Sequence, residues 1–462
     1  MKNKIVLALA VAFLMVAAPA FAAVQNVKVS GNITSTYLNR QDFNFREGDV
    51  GDIWRQSLFL TQSTLRVDAD LSDNVSTTVA LINERAWGEE SSSQTFTSST
   101  STEVQLYLAY VTLREFLYSP LTLTVGRQAF AFGNSLVFDA TGTNNGAKGP
   151  LSGIAQDLTM RSSLDVIRAT LDYKPLTIDL FWGKASQGNV TGLGLKKDNS
   201  DVFGANANYQ LGDAMNTVVE AYVFGRVNGS SNVGTGVGGP DRADKLWAPG
   251  LRVSTNPVKG LNVQAEAALQ RGEMVSTSAS SNQRRAAYAY QAMASYALPV
   301  AELEKYKPIV SGSYTYVSGD GDPAARNKKN TAWDPMLENQ NGGTIFNSIF
   351  NLTNMSIVNA TVSASPIADV TTSLSWNGLW SAQRPTTSGV SMVYPDTGST
   401  ASTLSVGSSK HLGSEYDANV GYQYTEDVKF GLNLGWFLPG RAFLSDNKKP
   451  AKQAIASVGV NF

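Results

Sequence analysis

The stretch Phe430-Gly-Leu-Asn-Leu-Gly-Trp436 alternates strictly between large apolar residues and small or polar ones. Its even positions carry Phe, Leu, Leu and Trp, and the odd positions between them carry Gly, Asn and Gly. A period of two places successive side chains on opposite faces of a β-strand. The stretch therefore predicts a strand with one apolar face and one polar face.

The same alternation recurs along the chain, for example over residues 176–183 and 261–271. Charged residues make up 16% of the sequence, which is below the roughly one quarter that is usual for soluble domains. A barrel wall in a membrane presents apolar side chains to lipid and uncharged polar side chains to its lumen. Composition and periodicity together favour such a wall.

Tight turns alternate with long polar loops along the sequence. Eight tight turns are predicted near residues 72–74, 119–120, 174–175, 212–213, 256–257, 298–299, 365–366 and 426–427. Nine longer loops begin near residues 39, 88, 133, 186, 228, 272, 319, 381 and 439. These connections predict an all-β fold, a transmembrane antiparallel β-barrel of about 18 strands (16–18), with short periplasmic turns and long extracellular loops.

Aromatic residues divide between the two ends of the predicted strands. Seven tryptophans lie near long-loop edges, at positions 54, 87, 182, 247, 376, 380 and 436, and tyrosines lie beside the short turns, at positions 118, 173, 209, 296, 306, 422 and 424. Amphipathic rings prefer the two membrane–water interfaces. The placement predicts two aromatic girdles.

The N-terminus has the features of an export signal. Lys2 and Lys4 precede an apolar run over residues 5–18, and Ala20-Phe21-Ala22 follows. The run is shorter than the roughly 18 residues that a spanning helix needs, so it predicts a signal peptide over residues 1–22. Residues 23–462 are then expected to form a single barrel domain in the outer membrane of a bacterial cell.

The C-terminal stretch, residues 454–462, alternates to its last residue, Phe462. A terminal Phe on an amphipathic strand resembles the signal that the bacterial barrel-assembly machinery recognises. That machinery and outer-membrane lipid are therefore the expected partners.

The residue inventory argues against several functions. The chain has no Cys and a single His, His411, which excludes sites that need two imidazoles. No nucleotide-binding loop or carboxylate dyad at a recognisable spacing is found, and no cofactor or metal is expected. A net charge of −1 gives no indication of nucleic-acid binding. A hydrolase would need His411 as its base, so no enzyme activity is expected.

Strand parity predicts which charged side chains face the lumen, because an Arg in contact with lipid at the bilayer midplane costs about 2–4 kcal/mol. Lumen charges set the selectivity of a channel. The alternative is that they pair with one another and brace the wall. The predicted lumen-facing residues are Arg66, Asp68, Asp70, Arg168, Asp172, Asp179, Glu220, Arg226, Arg252, Glu266, Arg285, Glu415 and Asp417.

Arg127 breaks the parity of its own strand. In residues 121–132 the apolar parity is that of Leu121 and Val125, so a regular strand would direct Arg127 into lipid. A bulge at Gly126 would turn the side chain inward. Arg127 is therefore a further pore-lining candidate.

Two stretches carry a family resemblance. Leu123-Thr-Val-Gly-Arg-Gln-Ala-Phe-Ala-Phe-Gly133 resembles the Gly-Arg-Gln strand of the bacterial alginate export outer-membrane proteins. Leu412-Gly-Ser-Glu-Tyr-Asp417, followed by Gly435-Trp-Phe-Leu-Pro-Gly440, resembles the C-terminal pattern of that family. The resemblance implies an eighteen-stranded barrel whose narrow pore passes an acidic polysaccharide, with Arg127 at the constriction.

The expected function is a porin-like channel that passes small solutes or anionic saccharides passively across the outer membrane. The alternative is an alginate-export-type polysaccharide secretion channel. A structural or adhesive barrel with a closed lumen is a further possibility. Loops after Gly133 and Gly319 are expected to fold inward and narrow the pore.

Overall fold

The computed structural model describes most of the chain from residue 26 to its end. The described residues are 26–45, 56–87, 104–141, 158–160, 163–187, 199–228, 243–274, 283–321, 329–340, 343–384, 407, 409–444 and 447–462. The predicted signal peptide, residues 1–22, lies outside them. No helix among these residues has the length and apolar content to cross a membrane.

Eighteen strands account for nearly all of the regular structure. They are β1 Asn26–Gln41, β2 Gln56–Ser72, β3 Val75–Ala86, β4 Gln105–Leu113, β5 Leu121–Gln128, β6 Leu164–Asp172, β7 Leu176–Gln187, β8 Asn199–Gln210, β9 Val218–Asn228, β10 Asp244–Val258, β11 Leu261–Met274, β12 Gln283–Ala297, β13 Ile309–Val317, β14 Met355–Ile367, β15 Val370–Ser381, β16 His411–Gln423, β17 Val428–Pro439 and β18 Ala451–Asn461. A 3₁₀ turn, Glu304–Tyr306, precedes β13, and a one-turn helix, α1 Phe346–Ile349, precedes β14.

The strands form one closed antiparallel barrel. Each strand pairs with its neighbours in sequence, and β1 also pairs with β18, from Asn32 opposite Asn461 to Gln41 opposite Lys452. Closure leaves no sheet edge with unpaired backbone groups, which is the condition for a sheet to cross a bilayer. The predicted eighteen-stranded barrel is confirmed.

The two faces of the wall differ as the alternation predicts. On β10, Trp247 and Leu251 are exposed on the outer face, whereas Leu246 and Ala248 are completely buried on the inner face. Exposed tryptophans lie on the outer face toward the long loops, at positions 87, 182, 247 and 436. Five exposed tyrosines lie at the short-turn end, at positions 118, 173, 209, 422 and 424, and three others are exposed farther toward the long loops, at positions 288, 290 and 416. The outer face therefore has an apolar band between two aromatic girdles.

Two turns differ in position from the sequence-based prediction. The Asn256-Pro257 and Ser365-Pro366 dipeptides lie within the last residues of β10 and β14, and the register shifts there. The chain reverses about two residues later, at Lys259-Gly260 and Ala368-Asp369. Proline lacks a backbone N–H, so a bulge at the end of a strand accommodates it without the loss of a ladder hydrogen bond.

The C-terminal residue closes the seam between the first and last strands. The backbone of Phe462 exchanges two hydrogen bonds with Gly31, at 2.9 and 3.0 Å. A Cβ on Gly31 would lie 2.7 Å from the Phe462 ring and 2.4 Å from the carbonyl oxygen of Thr64. Glycine at position 31 thus lets the terminal ring pack directly on the backbone of β1.

The assignment of faces predicts an asymmetric response to charge on β10. Leu251→Arg places a cation on the apolar outer band and is expected to lower the free energy of unfolding by about 2–4 kcal/mol. Ser254→Arg, on the inner face of the same strand, is the control and should cost much less. Denaturant titration of the barrel refolded in lipid vesicles measures both values. Equal losses would contradict the assignment.

Candidate functional site

Two loop segments enter the barrel and meet in the lumen. Residues 129–141 follow β5, and residues 318–354 connect β13 to β14. Phe138 and Leu337 form a parallel bridge between the two segments, and the Asp139 N–H donates to the Leu337 carbonyl at 2.6 Å. We call their described residues the β5 loop (129–141) and the β13 loop (318–321, 329–340 and 343–354). Their contact places irregular backbone across the interior of the barrel.

Two glutamates on the wall hold the tip of the β5 loop. The Gly133 N–H donates to Glu220 Oε1 at 3.1 Å, and the Asn134 N–H donates to Glu266 Oε2 at 2.6 Å. The Tyr222 hydroxyl donates to the other oxygen of Glu266 at 2.6 Å. Gly133 has φ +63°, and a Cβ there would lie 2.7 Å from Glu266 Oε1. Only glycine permits so close an approach with this backbone conformation.

Arg252 bridges the same loop tip to the wall. Its Nε donates to the side-chain oxygen of Asn134 at 2.5 Å, and its two terminal nitrogens donate to Glu220 at 3.3 Å and Gln264 at 2.9 Å. The guanidinium is therefore occupied by three acceptors. A half-buried cation with this many partners holds structure in place, which limits its availability to a passing ion.

Glu415 on β16 anchors the β13 loop. The backbone N–H groups of Thr344, Ile345 and Phe346 donate to its carboxylate at 2.7, 2.8 and 2.6 Å. The Thr344 hydroxyl donates to Asp417 at 2.8 Å. Glu415 has no exposed surface. The carboxylate thus satisfies N–H groups at the start of α1 that have no intrahelical partner.

An ion-pair network fixes the middle of the β13 loop. Arg226 and Arg285 both contact Asp334 of the loop, at 2.7 and 3.0 Å, and Arg285 also contacts Asp244 at 2.7 Å. Gln270 exchanges two hydrogen bonds with the Asp334 backbone, at 2.7 and 2.9 Å. Two cations and two carboxylates balance one another at this position.

Aromatic packing completes the attachment of the β5 loop. Its phenylalanines at positions 130, 132 and 138 pack against the inward-facing Phe181 and Phe224, with ring centroids 4.8 to 5.9 Å apart. The guanidinium of Arg168 lies 4.9 Å from the centre of the Phe130 ring and forms an ion pair with Asp179 at 2.7 Å. The loop therefore buries an apolar cluster against the wall.

The charged residues nearer the short turns hold no described loop. Arg66 and Asp68 form a 2.7 Å ion pair, with 42% and 33% of their side-chain surfaces exposed. Asp70 shares their inward parity on β2. Asp172 lies at the end of β6, 4.0 Å from Lys174. These side chains are the predicted lumen residues that solvent reaches most readily.

Arg127 does not face the lumen, which corrects the expectation for this residue. The register of β5 with β6 continues without a shift through Gly126, so Arg127 keeps the outward parity of Val125 and lies opposite Asp165. Arg127 and Asp165 form two hydrogen bonds, at 3.0 and 2.9 Å, and 56% of the Asp165 side chain is exposed. The pair lies at the long-loop end of the wall, where a charge on the outer face costs little.

Some residues that shape the lumen had not been singled out from the sequence. Glu84 on β3 accepts hydrogen bonds from Thr159 and from the Met160 N–H, each at 2.6 Å. Ala80 and Ile82 share its inward face, so the alternation around it is ambiguous. Asp334 lies in a loop, where strand alternation makes no prediction.

His411, the one candidate base, begins β16 and packs its ring 5.6 Å from that of Trp380.

Comparisons with known proteins agree with this architecture. The family model described as "Alginate export" matches residues 26–457. A sequence search of curated proteins finds no match.

Three similar solved structures come from Pseudomonas aeruginosa. OccK1 (OpdK) has a TM-score of 0.59 and 10% identity over 95% of this chain and 99% of that one. OccK11 (OpdR) has a TM-score of 0.55 and 10% identity over 95% and 96%. OccK2 (OpdF) in complex with glucuronate has a TM-score of 0.54 and 11% identity over 95% and 99%. At these identities the likeness shows a shared fold.

Removal of the Glu415 carboxylate is expected to reduce the protection of nearby backbone amides against hydrogen exchange. Glu415→Ala leaves the N–H groups of residues 344–346 without their acceptor, at a cost of about 2 kcal/mol, which corresponds to roughly thirtyfold faster amide exchange there. Hydrogen–deuterium exchange of the refolded barrel measures this. Asp68→Ala, which removes a lumen carboxylate that holds no described loop, is the control. Unchanged exchange in Glu415→Ala would contradict the anchoring role.

Proposed function

Since the chain belongs to the Alginate export family, we propose that it is a porin-like channel through which small solutes or anionic saccharides cross the outer membrane passively. The observation that carries the proposal is the pair of loops held across the lumen by wall carboxylates. A structural barrel has no need of such a constriction, whereas a selective channel does. The proposal assigns no enzyme activity to the protein.

The lumen charges support weak ion selectivity. Among the described residues, Arg168 pairs with Asp179, Arg66 pairs with Asp68, and Arg252 pairs with Glu220. Opposite charges this close together give only a small net field, and the further wall carboxylates Glu266, Glu415 and Asp417 are buried against the loops. Because selectivity follows the unbalanced charge that lines a pore, we expect cations and anions to pass at similar rates.

Hydroxyl and amide side chains line the part of the lumen below the loops. On β14 to β17 the inward positions carry Asn359, Thr361, Ser373, Asn419 and Asn433. The amides bond to one another, from Asn359 to Asn377 and from Asn433 to Asn419, each at 2.8 Å. Such a surface offers both donors and acceptors to hydroxylated solutes. It suits saccharides better than apolar compounds.

A polysaccharide channel is the second candidate, and family membership fits it without favouring it over the first. An acidic polymer needs cations along its path, and in the described lumen Arg66 and Lys28 are the accessible ones nearest the short turns. Lys28 lies directly opposite Asp68 on the neighbouring strand. Block of the current by uronate oligosaccharides, relieved by Arg66→Ala, would assign the protein to this class.

The C-terminal strand carries a further part of the proposal. Its outward parity ends in Phe462, which is exposed at the outer surface. We take this strand as the segment that the barrel-assembly machinery binds during insertion, and lipid as the barrel's permanent partner.

Planar-bilayer recording tests the channel directly. The refolded mature protein is expected to conduct, with a small reversal potential in a salt gradient. Glu266→Ala combined with Glu415→Ala frees both loops and should raise the single-channel conductance or its noise. Arg127→Ala is the matched control, because its side chain lies on the outer face, and it should leave conductance unchanged. The absence of current in the wild-type protein would contradict the proposal.

A further inference from the structure

A row of charged side chains runs around half of the outer face. Its members are direct register partners on eight consecutive strands, from β5 to β12. Only the position on β9 is uncharged. The row, which we call the outer belt, consists of Arg127, Asp165, Lys184, Asp201, Val227, Lys245, Glu273 and Arg284.

The β10–β12 part of the outer belt lies at the level of lipid headgroups. Trp182 and Trp247 are exposed on the same face, two residues nearer the membrane centre than Lys184 and Lys245. Two residues of a tilted strand rise by about 5 Å along the membrane normal. Because the Trp247 ring marks the interface, Lys245 and its register partners on β11 and β12 lie just beyond it, among the headgroups on the long-loop side.

The two halves of the belt differ in charge balance. On β5 to β8, Arg127 pairs with Asp165 and Lys184 pairs with Asp201, so the cations are neutralised within the wall. On β10 to β12, Lys245 and Arg284 flank a single carboxylate, Glu273. This second half therefore has an excess of positive charge among the described residues.

Arg271 adds a third cation to this half. It lies beside Trp247 on the outer face, and one terminal nitrogen donates to the carbonyls of Gln270 and Ala287, at 2.8 and 3.3 Å. These bonds hold the guanidinium on the wall, and its other N–H groups have no acceptor among the described residues. We call Lys245, Arg271, Glu273 and Arg284 the β10–β12 patch. Directly opposite residues on paired strands have Cβ atoms about 5 Å apart, so the three cations surround one small area.

We propose that the β10–β12 patch is a binding site for the phosphate group of an anionic lipid in the leaflet on the long-loop side. Three cations around one carboxylate complement a phosphate in charge, and guanidinium groups bind phosphate oxygens in pairs. The Trp247 ring packs beside the upper acyl chain. The site binds the headgroup of a lipid held by the surrounding bilayer, since the apolar wall below the patch supplies the rest of the contact.

Native mass spectrometry of the full barrel in detergent tests the proposal. The probes are phosphatidylglycerol and phosphatidylcholine with identical acyl chains. The wild-type protein is expected to retain phosphatidylglycerol preferentially. Lys245→Gln, Arg271→Gln and Arg284→Gln combined should weaken that binding about tenfold or more, since each surface cation contributes severalfold. Arg284→Gln alone should give a partial loss, which keeps the test valid if the triple variant folds poorly.

The paired half of the belt provides the control. Arg127→Gln with Asp165→Asn removes one neutral pair elsewhere on the outer face and should leave the lipid preference intact. Inorganic phosphate at millimolar concentration should not displace the lipid. An equal loss in this control, wild-type preference in the triple variant, or displacement by inorganic phosphate would overturn the proposal.

Discussion

A bilayer offers no hydrogen-bonding partners to a polypeptide backbone, and the rest of this structure depends on that constraint. The pairing of β1 with β18 satisfies it, because the closed sheet has no edge strand. Closure then defines an inner and an outer face, and the alternation of the sequence assigns each side chain to one of them. The pairing of β1 with β18 extends as far as Phe462, whose backbone exchanges two hydrogen bonds with Gly31.

A related constraint, that buried backbone N–H groups need acceptors, explains the buried carboxylates in the lumen. The β5 and β13 loops bring irregular backbone inside the barrel, where their N–H groups need acceptors. Glu220, Glu266 and Glu415 supply these acceptors from the wall. Charges used in this way hold the constriction in place and are not available to select ions. The chemistry offered to a solute is therefore mainly that of hydroxyls, amides and a few exposed ion pairs.

The sequence predicted the barrel well because strand periodicity and turn chemistry are local properties. It predicted the side of the wall for most charged residues for the same reason. It could not predict their partners, since Gly133 and Glu220 are far apart in the chain and meet only in the folded barrel. The prediction that Arg127 faces the lumen was wrong for this reason. Its partner, Asp165, belongs to the next strand, and an ion pair on the outer face makes an inward turn of the side chain unnecessary. The turns predicted at Pro257 and Pro366 were misplaced by about two residues, because a bulge at the end of a strand accommodates proline as well as a turn does.

The account's central claim is that inward loops leave a narrow, weakly charged passage for polar solutes. Swelling of proteoliposomes in a graded series of uncharged sugars tests it most directly. Rapid swelling in monosaccharides, with a steep decline for tri- and tetrasaccharides, is the predicted result. No swelling in any sugar would show a closed lumen, and equal rates for all sizes would show that the loops do not constrict the pore. Either result would contradict the account.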